Sequence, residues 1–209
     1  MLCLGGIILN KNDNLLEDTY KTIGKSGEGL VVEKRSKFIS FAHNASSPEE
    51  AMEIVAGYKA KYRDARHVCY AYAIGPGREV YRLGDDGEPS GTAGRPIFGA
   101  ISSAGLTDVV VVVVRYFGGI LLGTGGLIVA YKAAAAQAID RSVAEERIVE
   151  ERLQYDFTYP MINKVMRVAR EMSARVVSQD FGTACSVTLA VRRSMAGELR
   201  RRLEALSFA

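Results

Sequence analysis

Asp108-Val109-Val110-Val111-Val112-Val113-Val114-Arg115-Tyr116-Phe117-Gly118-Gly119-Ile120-Leu121-Leu122-Gly123-Thr124-Gly125-Gly126 joins six consecutive valines to a glycine-rich loop. β-Branched residues on both pleat faces suit a central strand covered on both sides, or a strand deep in a sandwich. Beyond the loop, Leu127, Tyr131, Ala134 and Ala138 recur at helical spacing on an inner face, with Lys132 and Gln137 outward. The run Ala133 to Ala136 permits close approach of that helix to a sheet. Of the 21 glycines, 13 fall between Gly75 and Gly126 with three of the five prolines, which marks this window as shaped backbone.

Ordinary elements flank the window. Ser47-Pro48-Glu49-Glu50 is a capping box with proline at the first helical position, and Ala51, Val55, Tyr58 and Tyr62 continue it as an amphipathic helix to about Arg63. His67 to Ile74 reads as a strand. From about Ala144 the texture changes: only Gly182 and Gly197 remain, and ten of eleven basic residues are arginine. A strand near Arg152 to Tyr159, a helix opened by Pro160, strands at Ala174 to Gln179 and around Cys185 to Val191, and a helix from about Ser194 give βαββα. That order is one strand short of a ferredoxin-like unit, so the sheet edge is expected to be open or filled by another segment. The expected organisation is an extension over 1–19, a larger domain over 20–143 and a second domain over 144–209.

With 24% charged and 48% hydrophobic residues, the 209-residue chain is globular, not disordered or fibrous. No run of 18 apolar residues exists, and the apolar N-terminus lacks a basic n-region and a cleavage site, so neither a membrane span nor a signal peptide is read. Cys3, Cys69 and Cys185 are unpaired in spacing, which supports no disulfide framework and no structural zinc site. A reducing cytoplasm is the default compartment. A net charge of +3 decides nothing about nucleic acid.

Two regions carry candidate chemistry. Asp85-Asp86-Gly87-Glu88 sets three carboxylates on a turn-rich loop. Such a cluster serves metal binding or acid/base work, or its Asp side chains simply bond their own turn. With His67 it forms the candidate catalytic set His67, Asp85, Asp86 and Glu88 of a metal-assisted or histidine-dependent hydrolase, although Ser90 lacks the nucleophile-elbow glycines. The second region is the Gly118 to Gly126 loop, which opens a helix and so offers free N–H groups to an anion. It fails the nucleotide fingerprints, since Thr124 stands where a Walker lysine belongs and Ile128 where a dinucleotide-fold glycine belongs. Glu33 to Lys37 and Arg115-Tyr116-Phe117 supply cations and aromatics for phosphates and bases, with Lys34, Arg35, Lys37, Arg115 and Tyr116 as the candidate contacts and Gly125 and Gly126 as backbone donors. Arg115, a charge ending an all-valine strand, must reach solvent, a ligand or a carboxylate among Asp85, Asp86 and Glu88. No cofactor and no metal ligand set is read.

Glu33-Lys34-Arg35-Ser36-Lys37-Phe38-Ile39, Arg66-His67-Val68-Cys69-Tyr70-Ala71, Asp85 to Gly94 and Arg115 to Leu127 together resemble the YigZ/IMPACT family, over roughly Tyr20 to Asp140. The resemblance implies a two-domain α+β protein. Its first domain would be of the type found in ribosomal proteins and in domain IV of elongation factor G, and its second ferredoxin-like. Eukaryotic members regulate translation by competing for the ribosome-associated activator of a starvation-responsive initiation-factor kinase. They carry an extra N-terminal interaction domain without counterpart here, so that particular role does not transfer. The resemblance implies contact with RNA or the ribosome, and with the glycine-rich helix start beside Arg115 and Tyr116 it leads to the expectation of a non-enzymatic regulator of translation, with a protein partner of the translation machinery as a further expectation. A hydrolase and a protein-interaction module stand as the alternatives.

Overall fold

The computed structural model describes residues 18–182 and 185–206, which divide into two compact units, Thr19–Arg147 and Asp18 with residues 148–206. The extension expected over 1–19 lies, but for its last two residues, outside the described residues.

The first unit runs β1 (Thr19–Lys25), β2 (Gly27–Glu33), β3 (Ser36–Asn44), α1 (Pro48–Lys61), β4 (His67–Ile74), β5 (Val80–Gly84), α2 (Gly94–Ser103), β6 (Val109–Tyr116), α3 (Gly123–Asp140) and β7 (Val143–Ile148). Five strands form one antiparallel sheet in the order β2-β3-β6-β4-β5, so the valine strand is central. All six valines are fully buried. Val109, Val111 and Val113 pack with Phe38, Ala71 and the inner faces of α2 and α3, while Val110, Val112 and Val114 pack with Phe41, Tyr70 and Tyr72 beneath α1. Each such burial stabilises by about 1.5–3 kcal/mol relative to exposure, which is why a strand with no polar alternation sits where both faces are covered.

The helices begin as their sequences require. Ser47 caps α1 by accepting from Glu50 N, and Glu50 returns its carboxylate to Ser46 rather than to the cap residue. Leu127, Tyr131, Ala134 and Ala138 are the buried side of α3. Gln137 does not face outward: its Oε1 accepts from Leu30 N at 2.6 Å and fastens α3 to edge strand β2.

The strand after α3 pairs with β1 in a separate two-stranded sheet. The compositional change near Ala144 thus falls inside β7, and the first unit extends to Arg147.

The second unit contains β8 (Glu150–Phe157), α4 (Ile162–Glu171), β9 (Arg175–Phe181), β10 (Cys185–Arg192) and α5 (Arg193–Leu206). Its sheet has the order β8-β10-β9, antiparallel throughout. That is the strand order of a ferredoxin-like unit without its fourth strand, and β8 has no second partner among the described residues. One apolar face, formed by Leu153, Val187, Leu189 and Val191, packs against Val165, Ala169, Leu199 and Leu203 of the two helices. β9 runs on through Asp180 and Phe181, past the end expected at Gln179. No helix among the described residues is long and apolar enough to cross a membrane.

Close approach of α3 to the sheet gives a direct test. A Cβ built on Gly27 meets the backbone of Ala138 and Ser142, so Gly27→Ala must push β2 away from α3. Urea denaturation is expected to show a loss of about 1–3 kcal/mol.

Candidate functional site

The sheet's two-residue period sorts the candidates before any ligand is considered. Arg115 continues the parity of Val109, Val111 and Val113 and lies opposite Phe38, so its side chain enters the α2/α3 side. Tyr116 lies opposite Lys37 and faces the α1 side with Ile39. Grouping Arg115 and Tyr116 into one phosphate-and-stacking site is therefore corrected: neighbours in sequence, they serve opposite faces of the sheet.

Arg115 is 5% exposed, and its Nη1 donates to Glu88 Oε1 at 2.6 Å. Tyr131 OH donates to the same oxygen at 2.8 Å, and Cys69 Sγ lies 3.3 Å from Tyr131 OH. Burial pushes both the Cys69 thiol and the Tyr131 phenol above their usual ranges, so both remain protonated donors. His67 Nδ1 donates to Asp86 O at 2.8 Å, because a carbonyl only accepts, and Nε2 then faces Glu88 Oε1 at 3.8 Å. Arg115 Nε is buried without a hydrogen-bond partner.

The three loop carboxylates diverge. Asp85 Oδ1 accepts from Ala93 and Gly94 N and Oδ2 from Gly91 N, so this carboxylate caps α2 in place of a conventional N-cap residue. Asp86 takes Val68 N and Lys59 Nζ, and Glu88 takes Arg115 and Tyr131. Among the described residues no three His, Cys, Asp or Glu side chains converge as a metal set. The hydrolase alternative thus meets carboxylates already committed to a helix end, a strand end and an ion pair. Asp85 behaves in the manner of the turn-bonding alternative.

A pocket of about 440 Å³ opens beside this network. Its lining includes Arg66, His67, Arg115, Phe117, Gly123 and Thr124, with Leu121 at its rim. The helix α3 begins at Gly123, carries no side-chain cap and has no acidic residue in its first turn. Gly123 and Thr124 line the pocket at this helix end, and Gly125, in the same first turn, and Gly126 are not among its lining residues. The sequence places the start too late because Leu122 is no cap residue and Gly-Thr-Gly-Gly is a poor helix former.

On the α1 side, Arg35, Lys37, Ile39, Tyr116 and Phe117 line a second hollow of about 330 Å³. Lys34 and Arg35 form the tip of the β2–β3 hairpin with φ 43° and 66°, a left-handed pair that ordinarily takes Asn-Gly. Gly118 lies so close to this tip that a Cβ there meets the Arg35 backbone, and its N–H donates to Ser36 Oγ. Phe117 lines both hollows, although the sequence assigns the stacking contact to Tyr116 alone. Its signal was available: an aromatic side chain just past the end of a buried strand and just before two glycines.

The Impact N-terminal domain model matches residues 34–139, which span every residue of both hollows. The chain belongs to the IMPACT family. An IMPACT family member of Thermus thermophilus is 38% identical over 83% of this chain and 93% of its own length. The IMPACT family member YigZ of Escherichia coli is 32% identical over 81% of this chain and 84% of its own length. A solved crystal structure of a hypothetical protein is 27% identical, with a TM-score of 0.74 over 92% of this chain and 94% of that one. This family member is a two-domain α+β protein.

Asp85 supplies a pH-dependent test. Burial raises its carboxyl pKa, but N–H donation from Gly91, Gly94 and Ala93 with the charge of Arg95 more than offsets this, so the net shift is downward. A depressed folded pKa stabilises above the unfolded value of about 3.9 and loses that stabilisation as pH falls through the folded value. Asp85→Ala is expected to cost about 1–3 kcal/mol near neutral pH, and its deficit against the parent should shrink below about pH 4. A deficit constant with pH in chemical denaturation would remove the ionised cap from the account.

Proposed function

We propose that this protein is an RNA- or ribosome-associated regulator of translation that binds RNA through phosphate contacts, not an enzyme. The observation that carries the reading is the continuity at Phe117: an exposed basic and aromatic hollow adjoins a pocket where an uncapped helix N-terminus meets a buried arginine. Helix N-termini hold anions through free N–H groups and the macrodipole, and arginine with aromatic faces suits phosphates and bases. Lys34, Arg35 and Lys37 are all exposed, on the α1 side or at the hairpin tip, where an extended backbone can be followed. Arg115 divides its guanidinium between Glu88 and the pocket, and Tyr116 donates its hydroxyl to Asp64, leaving its ring as the contact surface. The family resemblance supports the translational setting.

The first measurement is co-sedimentation with ribosomes and structured RNA from low to physiological salt. Arg35→Ala and Lys37→Ala should each weaken binding and flatten the plot of log affinity against log salt by about 0.7–0.9. Unchanged affinity and slope in both variants count against the reading.

The hairpin tip provides a separate check on the cost of presenting these cations. Replacing Lys34 by Asn and Arg35 by Gly relieves two left-handed side-chain-bearing residues, so stability is expected to rise by about 1–2 kcal/mol in urea denaturation. RNA affinity should fall in the same variant. A variant that is stabilised yet binds RNA normally removes the hairpin tip from the interface.

A further inference from the structure

We propose that the pocket at the N-terminus of α3 binds a terminal nucleotide, with its phosphomonoester on the helix end and Arg115 and its base against Phe117. The inference rests on the phosphate-binding reading given above and narrows its ligand from a bridging phosphate to an end group.

Two independent features point to an anion there. The first turn of α3 has neither a side-chain cap nor an acidic residue. Separately, Arg115 lines the pocket with a side chain only 6% exposed and with Nε unpartnered, although Glu88 occupies its Nη1. An orphaned donor marks the buried guanidinium of Arg115 as incompletely satisfied, and an acceptor seated in the pocket that Arg115 lines is the partner the proposal supplies. Arg66 is an exposed second cation of the lining, and His67 Nε2 faces the same floor.

Depth selects the kind of phosphate. A diester continues along the chain on both sides of phosphorus and suits the open Arg35–Lys37 hollow. A group that reaches a donor as buried as Arg115 must end there. A phosphomonoester also carries about −1.5 to −2 charge near neutral pH, more than a diester, and gains more from two arginines and a helix end set against one glutamate.

The remainder of the lining is unsuited to phosphate alone. Phe117, Leu121, Leu122, Leu127 and Pro89 make much of the wall apolar. The Phe117 ring is about half exposed, and the Arg115 guanidinium lies 5.7 Å from its centroid, which leaves the ring placed to stack a planar base. A volume of about 440 Å³ falls in the range of small-ligand sites, roughly 300–1,000 Å³.

The same chemistry occurs in a free nucleoside monophosphate and in the 5′ end of an RNA. The test titrates the full chain by calorimetry with adenosine 5′-monophosphate, adenosine, inorganic phosphate, and two oligoribonucleotides differing only in a 5′-phosphate or 5′-hydroxyl. The nucleotide should bind saturably and about tenfold or more tighter than adenosine or phosphate, and Phe117→Ala should erase that advantage while leaving phosphate affinity unchanged. Because the chain has no tryptophan, Phe117→Trp adds a single reporter that should be quenched by the nucleotide and not by phosphate.

A preference for the 5′-phosphorylated oligomer assigns the pocket to RNA ends. Nucleotide binding without that preference assigns it to free nucleotide. A nucleotide that binds no tighter than phosphate, or does not bind, overturns the proposal. RNA co-sedimentation that persists in that case leaves the proposed function standing, whereas nucleotide binding without any RNA or ribosome association overturns the function and leaves the pocket.

Discussion

A charge at the end of a strand buried on both faces has to be neutralised within the fold, and the Arg115–Glu88 pair meets that constraint. Strand parity commits Arg115 to the α2/α3 side, beside Phe38 and Tyr131, where only 5% of it is exposed. Glu88 must then reach inward from the loop between β5 and α2, and the rest of that loop is arranged to allow it. Asp85 ties the loop to the start of α2, Asp86 ties it to β4 and to Lys59, and Asp86 and Gly87 turn the chain with positive φ. One buried cation thus accounts for the position of a ten-residue segment that looks, as sequence, like a carboxylate cluster.

Stability alone is a poor reason for such a pair. Taking both ions out of water costs several kcal/mol each, and well-packed apolar side chains of similar volume commonly do as well or better. The Arg115 site goes further, because Nε is left unpartnered while Tyr131 and Arg115 both spend donors on one oxygen of Glu88. An arrangement optimised only for folding would distribute those donors. A cation held rigidly in place and incompletely satisfied is instead suited to an incoming acceptor, with Glu88 acting as its orienting partner.

The architecture was legible from local patterns because each rests on a short-range rule. Six valines demand two covered faces, Ser47 to Glu50 demands a helix start, and βαββα demands the strand order found for β8, β10 and β9. The site was legible as a set of residues and not as an arrangement. Arg115 and Tyr116 are adjacent in sequence and separated by the sheet, while Glu88 and Arg115 are 27 residues apart and 2.6 Å from contact to contact. Pairing register, which converts one relation into the other, depends on the whole sheet. The start of α3 was misplaced for a different reason, since a helix uncapped by any side chain carries no local signal of where it begins.

The glycine-rich loop acquires its meaning from the same geometry. Gly118 lies two residues past the end of β6 and against the Arg35 backbone, so the loop leaves the strand in contact with the hairpin tip. The tip in turn holds two basic residues in a left-handed conformation that glycine or asparagine would adopt at lower cost. Phe117, the residue between Tyr116 and that contact, is left as the shared wall of the two hollows. The hairpin tip and the glycine-rich loop therefore meet at the backbone of Arg35 and Gly118, and one aromatic ring, not the core, is what the two hollows have in common. The valine sheet is the close-packed frame on which both hollows are set: all six of its central side chains are fully buried, so the features open to solvent lie beyond the strand's end, where the valines give way to Arg115, Tyr116 and Phe117.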